Sequence, residues 1–290
     1  MKGLKKDMQK GVNRRTFLKQ SATAVAAAAL VSPGAEAKAS FSQNSLQVWS
    51  CGGLAEAFIP ANKQYFEKTG IEIAYTGAFA AALGKSLLGS ASTEVFAGRV
   101  LGLSKKLRAA DKMLYFKPLC YTRYVVVTPK GNPAGISDIQ DMAKPGVRVI
   151  LSPQASPPGG KAVSGLLKKA GVLEKAMANA VVKGSCVQRS MEQLIDNQGD
   201  VSVVEYRLTQ MPAFRDKAEI ISIPEKFFPP PPLTFTIGVM KDAKDRKLAD
   251  HYVDYICSEE GQAFFQAAGF IPALSVKGQE LTKKLGVKDV

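Results

Sequence analysis

Residues 124–133 read YVVVTPKGNP. Four strand-forming residues and Thr128 run into Pro129, which cannot donate to a β-ladder, and Gly-Asn-Pro then turns the chain. A second such stretch, LTFTIGVM, occupies residues 233–240 and alternates as a strand. On both sides of these stretches, short apolar runs alternate with amphipathic segments, which predicts α/β layers. The chain leaves one α/β lobe at the first stretch and returns to it at the second. The expected organisation is lobe 1 from 40–124 and 240–290, and lobe 2 from 125–239. The hinge strands fall near 124–128 and 233–240, with a ligand cleft between the lobes. Hinged lobes of this kind close on a ligand.

Outward from the crossings, the pattern predicts a strand at Leu46–Trp49 and a helix at Leu54–Lys68 ending before Thr69-Gly70. A strand at Ile71–Tyr75, a helix at Ala80–Ser90, a short strand at Glu94–Ala97 and a helix at Gly102–Ala110 follow. In the second lobe, Ser137 carries an N-cap signal. Strands are expected at Val147–Leu151, Asp200–Tyr206 and Glu219–Ile223. Helices are expected at Lys161–Ala170, Glu174–Asn179 and Val187–Asn197. Pro229–Pro232 form a stiff loop. Helices at Arg246–Ser258 and Gly261–Ala268 complete lobe 1. No internal repeat is present.

The 290 residues carry a formal charge of +14, much of it at the amino terminus. Beyond residue 39, the remaining 31 basic and 23 acidic residues leave +8. A mild positive field favours small anions or an acidic partner surface. Nucleic acid is not indicated, because no arginine-rich stripe and no interleaving of basic and aromatic residues occurs. Arg14-Arg15-Thr16-Phe17-Leu18-Lys19 precedes an apolar run, Ala22–Val31, and the small-residue sites at 35–37 and 37–39. A basic region, a short apolar region and an A-x-A site make a cleavable export signal over residues 1–39. The apolar run is half the roughly 20 residues that span a bilayer. The paired arginines resemble a twin-arginine signal, which implies export of a folded protein to the bacterial periplasm. No later apolar stretch is long enough for a membrane span, so a soluble mature protein is expected.

Enzymatic sites are not indicated. There is no G-x-S-x-G, Walker A or H-E-x-x-H motif. The one histidine, His251, sits on a C-terminal helix as an expected surface residue. The cysteines Cys51, Cys120, Cys186 and Cys257 lack zinc-module spacing. An oxidising compartment permits disulfides, but a chain this long does not need them. Cys120 and Cys257 read as core residues.

Several stretches together resemble the periplasmic solute-binding proteins of ABC importers, most of all the molybdate/tungstate-binding branch. They are LAEAF (54–58), QYFEKTG (64–70), VVVTPKGNP (125–133), ISDI (136–139), KPGVRV (144–149), SPQASPPG (152–159), VVEY (203–206) and SEEGQAFF (258–265). The resemblance implies a type II periplasmic binding protein fold, monomeric and without a cofactor. Such a protein captures a tetrahedral oxyanion and hands it to an inner-membrane ABC permease. The family holds its anion with helix-start amides and hydroxyls, which suits the free N–H groups and positive dipole end found there.

Four helix starts fit that plan: Cys51-Gly52-Gly53, Gly77-Ala78-Phe79, Pro158-Gly159-Gly160 with Ser156 nearby, and Ser185-Cys186-Val187. Tyr206 matches the tyrosine that donates its hydroxyl to the anion. Arg123 could reach an anion bidentately or lie on the surface. The family's first-loop serine falls on Gly53, and the second-loop serine near Ala80 or Ala81. Cys51 and Cys186 stand at cleft loops instead. Each is either a small buried residue or a ligand contact. A helix start would lower a thiol's pKa, so the same fold could bind a thiophilic metal or metalloid through Cys51, Cys186 and Glu205. Glu94 and Glu205 read as strand-end carboxylates near the cleft, solvated or metal-binding. A sensor module docking on a membrane kinase is a further alternative.

Overall fold

The computed structural model describes residues 40–155, 159–227 and 233–290. The expected export signal, Ser156, Pro158 and the four prolines at 229–232 lie outside the described residues. The rest is built on two sheets, each flanked by helices.

Lobe 1 opens with β1 (Ser45–Cys51), α1 (Ala55–Thr69) and β2 (Glu72–Ala78). It continues through α2 (Ala80–Leu88), β3 (Val95–Arg99), α3 (Leu101–Ala109) and β4 (Met113–Tyr121). Helix α1 buries Ala57, Phe58, Ala61 and Tyr65, one face at helical spacing. It ends at Gly70, whose φ of 74° lies in the left-handed region that glycine reaches without strain.

Lobe 2 runs from β5 (Tyr124–Pro129) to β6 (Val149–Leu151), α4 (Gly159–Lys169), α5 (Leu173–Ala178) and β7 (Ala180–Lys183). It closes with α6 (Val187–Ile195), β8 (Val201–Glu205), α7 (Tyr206–Gln210) and β9 (Ala218–Ser222). The chain returns to lobe 1 as β10 (Thr234–Met240), α8 (Arg246–Cys257), α9 (Glu259–Ala267), β11 (Ile271–Pro272) and α10 (Val276–Leu285).

The first sheet has the order β11-β4-β10-β3-β1-β2 and the second β7-β6-β8-β5-β9. Strand β5 is buried on both faces. Tyr124 and Val126 enter one apolar cluster, Val125 and Val127 another. A fully buried strand reads as a continuous apolar run, which is why YVVV carries no alternation. Strand β10 pairs along its whole length with β3 and β4, so it belongs entirely to lobe 1. The expected boundary at 239/240 therefore moves back to before Thr234. The two crossings touch where the Thr122 N–H donates to the Leu233 carbonyl at 3.0 Å.

Five elements were missed by pattern, one of them the two-residue strand β11. Strand β4 contains Lys117-Pro118, which reads as a breaker. Its register against β10 shifts at this point, from Cys120 opposite Phe235 to Pro118 opposite Thr236, and such a bulge accommodates proline. Strand β7 and helix α7 are four and five residues long, too short for periodicity to show. Helix α10 holds an internal glycine, Gly278, yet is capped by the Ser275 hydroxyl, which accepts from the Gly278 amide at 3.0 Å. The expected cap at Ser137 is instead Asp138, which accepts from Gln140 N–H at 2.6 Å in a reciprocal box with Asp141. Ser137 donates to Asp141 instead. Among the described residues no helix is long and apolar enough to cross a membrane.

The packing makes a paired prediction. A Cβ on Gly238, in β10, would fall 2.1 Å from the Tyr115 carbonyl oxygen, whereas one on Gly165, inside α4, meets nothing within 4 Å. Gly238→Ala should cost about 1–3 kcal/mol by overpacking. Gly165→Ala should instead gain about 0.5–1 kcal/mol through helix propensity. Chemical denaturation of both variants checks the opposite signs.

Candidate functional site

Strands β1, β2 and β3 run parallel, so their carboxyl ends share one edge of the first sheet. That edge is the expected ligand edge of an open α/β sheet. Cys51 ends β1 and pairs in register with Ala78. The turn Gly52–Leu54 lies directly against Gly77 and Ala78: a Cβ on Gly77 would sit 3.5 Å from the Gly52 Cα. The first two predicted helix starts therefore form one wall. Beneath it, the Ser50 hydroxyl and the Tyr75 phenol hydrogen-bond at 2.5 Å, and burial pushes the Tyr75 pKa up to about 12. Phe79, the residue before α2, is exposed.

Arg99 ends β3 and is 7% exposed. Its Nη2 lies 2.6 Å from Glu205 Oε1, although Glu205 belongs to lobe 2 and ends β8. Glu205 is 2% exposed. Its other oxygen accepts from Arg207 Nε at 2.6 Å. Arg207, at the start of α7, also reaches Glu56 of α1 at 3.8 Å. The Tyr124 hydroxyl accepts from Arg99 Nη2 at 3.1 Å and donates to Glu205 Oε1 at 3.4 Å. The lobes thus meet through a chain of alternating charge, Arg99, Glu205, Arg207 and Glu56, buried at Arg99 and Glu205 and partly exposed at Glu56. Burial alone would raise the Glu205 pKa, but Arg99 and then Arg207 overcome it and hold the carboxyl at about 2. Burial opposes the charge of both arginines, and Glu205 reverses this and raises both. Two polar atoms of the cluster are buried without a partner, Arg99 Nε and Glu56 Oε2.

The predicted residues divide around this cluster. Gly53 faces it, since a Cβ there would sit 3.2 Å from the Arg207 guanidinium carbon. Cys51 is buried beside Arg99, Glu205 and Arg207. Burial pushes its thiol up, while the Gly53 amide and the guanidiniums pull weakly the other way. The lowered thiol expected of a helix start is thus reversed, because this thiol is desolvated. Cys186 is exposed at the start of α6, where its carbonyl accepts from the Ser152 hydroxyl at 3.1 Å. Val187 is partly buried beside it, and Gly159 is buried at the start of α4. Among the described residues no group of three or more His, Cys, Asp or Glu side chains could hold a metal ion. The set Cys51, Cys186 and Glu205 is not assembled, and Glu205 is already bound by two arginines.

Tyr206 and Arg123 pair with each other: the Tyr206 ring lies under the exposed Arg123 guanidinium, 3.7 Å from the centroid, and against Gly269. The next residue, Arg207, faces Gly53. Glu94 lies at the opposite end of β3 from Arg99, where it accepts from Gln43, Gln47 and Lys244. His251 is a surface residue as expected, bonded to the Tyr65 hydroxyl at 2.8 Å. Arg99 and Arg207 were missed. The only signal was their position, one at the end of a buried strand (FAGR, 96–99) and one beside a strand-end glutamate (EYR, 205–207).

A family model described as bacterial extracellular solute-binding protein matches residues 46–271. A sulfate-binding protein of Synechococcus elongatus is 26% identical over 169 residues, 51% of this chain and 46% of that relative. The chain spans about half the length of the curated relatives it matches. Among solved structures, a substrate-binding domain assigned to a molybdenum ABC transporter of Clostridium difficile has TM-score 0.69 and 19% identity, covering 79% of this chain and 98% of its own. The periplasmic molybdate-binding protein of Azotobacter vinelandii has TM-score 0.63 and 18% identity, covering 78% and 98%. Iron-bound HitA of Pseudomonas aeruginosa has TM-score 0.61 and 14% identity, covering 79% and 86%. At these identities the structures bear out the two-lobe fold and leave the ligand open.

Two predictions follow from the cluster. Arg99→Met leaves Glu205 buried with Arg207 as its one charged partner and should cost about 3–5 kcal/mol, while adding Glu205→Leu should restore part of it, since Arg207 then keeps only the more distant Glu56. Denaturation of the single and double variants checks the coupling. Secondly, Glu205 titrates near 2 when folded against 4.5 when free. A depressed carboxyl contributes stability that is full above pH 4.5 and lost as pH falls towards 2. The urea midpoint of the wild type, minus that of Glu205→Gln, should shrink across this window and stay level above it.

Proposed function

Because the chain belongs to the bacterial extracellular solute-binding protein family, we propose that it is the periplasmic receptor of an ABC importer and that it captures an oxyanion between its lobes. The observation that carries the anion is Arg99 Nε, a buried charged donor with no partner at the junction of the lobes. Such a donor is costly to leave unmade. An oxyanion supplies the missing acceptor, with the Gly52–Gly53 turn as the neighbouring source of backbone N–H groups. Arg99 and Arg207 repel a cation, and the one fully buried carboxylate is already engaged by both. This weighs against the iron chemistry named for one of the similar structures and towards the molybdate and sulfate named for others.

In this reading the paired arginines at 14–15 direct export by the twin-arginine route, and the mature protein works as a monomer. It docks on an inner-membrane permease once the lobes have closed. The anion bridges lobe 1 amides and Arg99 to the lobe 2 arginine, so it favours the closed arrangement by its differential contacts.

Titration calorimetry with molybdate, tungstate, sulfate and phosphate tests the reading. At least one should bind at 1:1 stoichiometry at micromolar concentration. The doubly substituted Arg99→Met/Glu205→Leu protein should stay folded yet lose that binding. Silence of the wild type towards these four and towards small organic oxyanions alike, or undiminished binding by the double variant, would sink the proposal.

A further inference from the structure

Arg99 faces more than the lobe junction. It also lines a groove of about 390 Å³ between α2 and α3 on lobe 1. The two helices touch at Gly84, where a Cβ would come within 2.9 Å of Leu103 Cδ1. Beyond that contact the groove stays open. Ala81, Leu88 and Leu103 make its apolar lining, and Leu88 is left 41% exposed. Lys85 and Lys106 stand on its two sides, both exposed, and no carboxylate lines it. Lysine stems extend apolar walls while the ammonium groups stay in water.

The inner end is formed by Arg99 and Val100. Arg99 is more than nine-tenths buried, with Nη2 bound to Glu205 and Tyr124. Its Nε has no partner. Val100 adopts φ 84°, a left-handed conformation that a β-branched residue rarely takes. It brings the uncapped first turn of α3 to the same end of the groove. A compact tetrahedral anion has no use for a long apolar trough. The groove's volume falls within the range of about 300–1,000 Å³ typical of small-molecule sites.

We propose that the α2–α3 groove is a ligand subsite that takes the apolar substituent of an organic oxyanion, whose charged head is held at Arg99. The ligand class is a phosphonate, sulfonate or carboxylate with a short hydrocarbon or aromatic group. This rests on the reading above that the cleft receives an oxyanion at Arg99. Lys85 and Lys106 add positive potential along the entry.

Calorimetry with three head-group pairs tests it: methylphosphonate against phenylphosphonate, methanesulfonate against benzenesulfonate, acetate against benzoate. In at least one pair the phenyl member should bind about 10- to 100-fold tighter, the gain expected for burying one apolar group. Leu88→Trp, a change at a position 41% exposed, fills the trough. It should erase that preference while leaving affinity for the methyl member within about twofold, because the head site is untouched. Equal affinity within every pair, or a phenyl preference that survives Leu88→Trp, overturns the subsite. If the inorganic oxyanions bind while no phenyl preference exists, the groove proposal fails and the anion receptor stands. If no anion of either kind binds, both fail.

Discussion

The fold depends on one buried carboxylate. Glu205 closes β8 of lobe 2 and is gripped by Arg99 of lobe 1 at 2.6 Å and by its own lobe's Arg207 at 2.6 Å. A buried ion pair of this kind contributes little net stability compared with apolar packing, because both partners lose their water. Removing one partner is expensive, however, since the other stays desolvated. The arrangement therefore specifies geometry more than it adds stability. It fixes how the carboxyl ends of β1, β2 and β3 face lobe 2, and it requires every residue at that edge to leave room for two guanidiniums.

The glycine at 53 follows from this requirement. The family resemblance expects a serine there, yet any Cβ would sit 3.2 Å from the Arg207 guanidinium. A side chain at that position forces the arginine to give way. Glycine at 53 thus leaves room for Arg207, and in the proposed reading guanidinium donation stands where the family resemblance expects a hydroxyl. Cys51 is explained by the same crowding. It is a small residue at the end of β1, buried against the cluster, and its thiol is pushed up rather than down by desolvation. A protonated thiol suits filling space beside charges better than it suits binding a soft metal.

Much of the fold was legible because its crossings are punctuated. YVVVTP and LTFTIGVM are apolar runs with clear stops, and both became strands at the predicted places. What stayed hidden was set by partners distant in sequence. Strand β4 accommodates Lys117-Pro118 by bulging at Leu119 against a continuous β10. The placement of β10 wholly in lobe 1 is a matter of pairing with β3 and β4, which alternation cannot reveal. The strand-to-helix turns at Cys51–Gly53 and Gly77–Phe79 were legible, because glycine after a strand is a local signal. Arg99 was not found, because its role depends on Glu205, 106 positions away, and an arginine in sequence reads first as surface. Glu205 was noticed, but its partners decide whether a buried carboxylate binds metal or closes a lobe. Beside the motif-matched Tyr206, the adjacent Arg207 enters the ion cluster, which the motif does not signal.

A receptor that already closes on its own ions faces a constraint on affinity. A ligand shifts the lobes only by what it gains in the closed form beyond the open one. If the ion cluster made every possible contact, an anion would have to break Arg99–Glu205 before it could bind, and most of its interaction energy would be consumed. Arg99 avoids this by division of labour. Nη2 is committed to Glu205 and Tyr124, while Nε is unmade. In the proposed reading, Nη2 sets the lobe geometry, and the Nε–H is the donor that an incoming acceptor would satisfy without dismantling the closure. The carboxylate also offsets the second guanidinium, so the site does not hold two uncompensated buried cations before the ligand arrives. Selectivity then falls to the shape and lining around Arg99, which is where the chain departs most from a pocket built of hydroxyls.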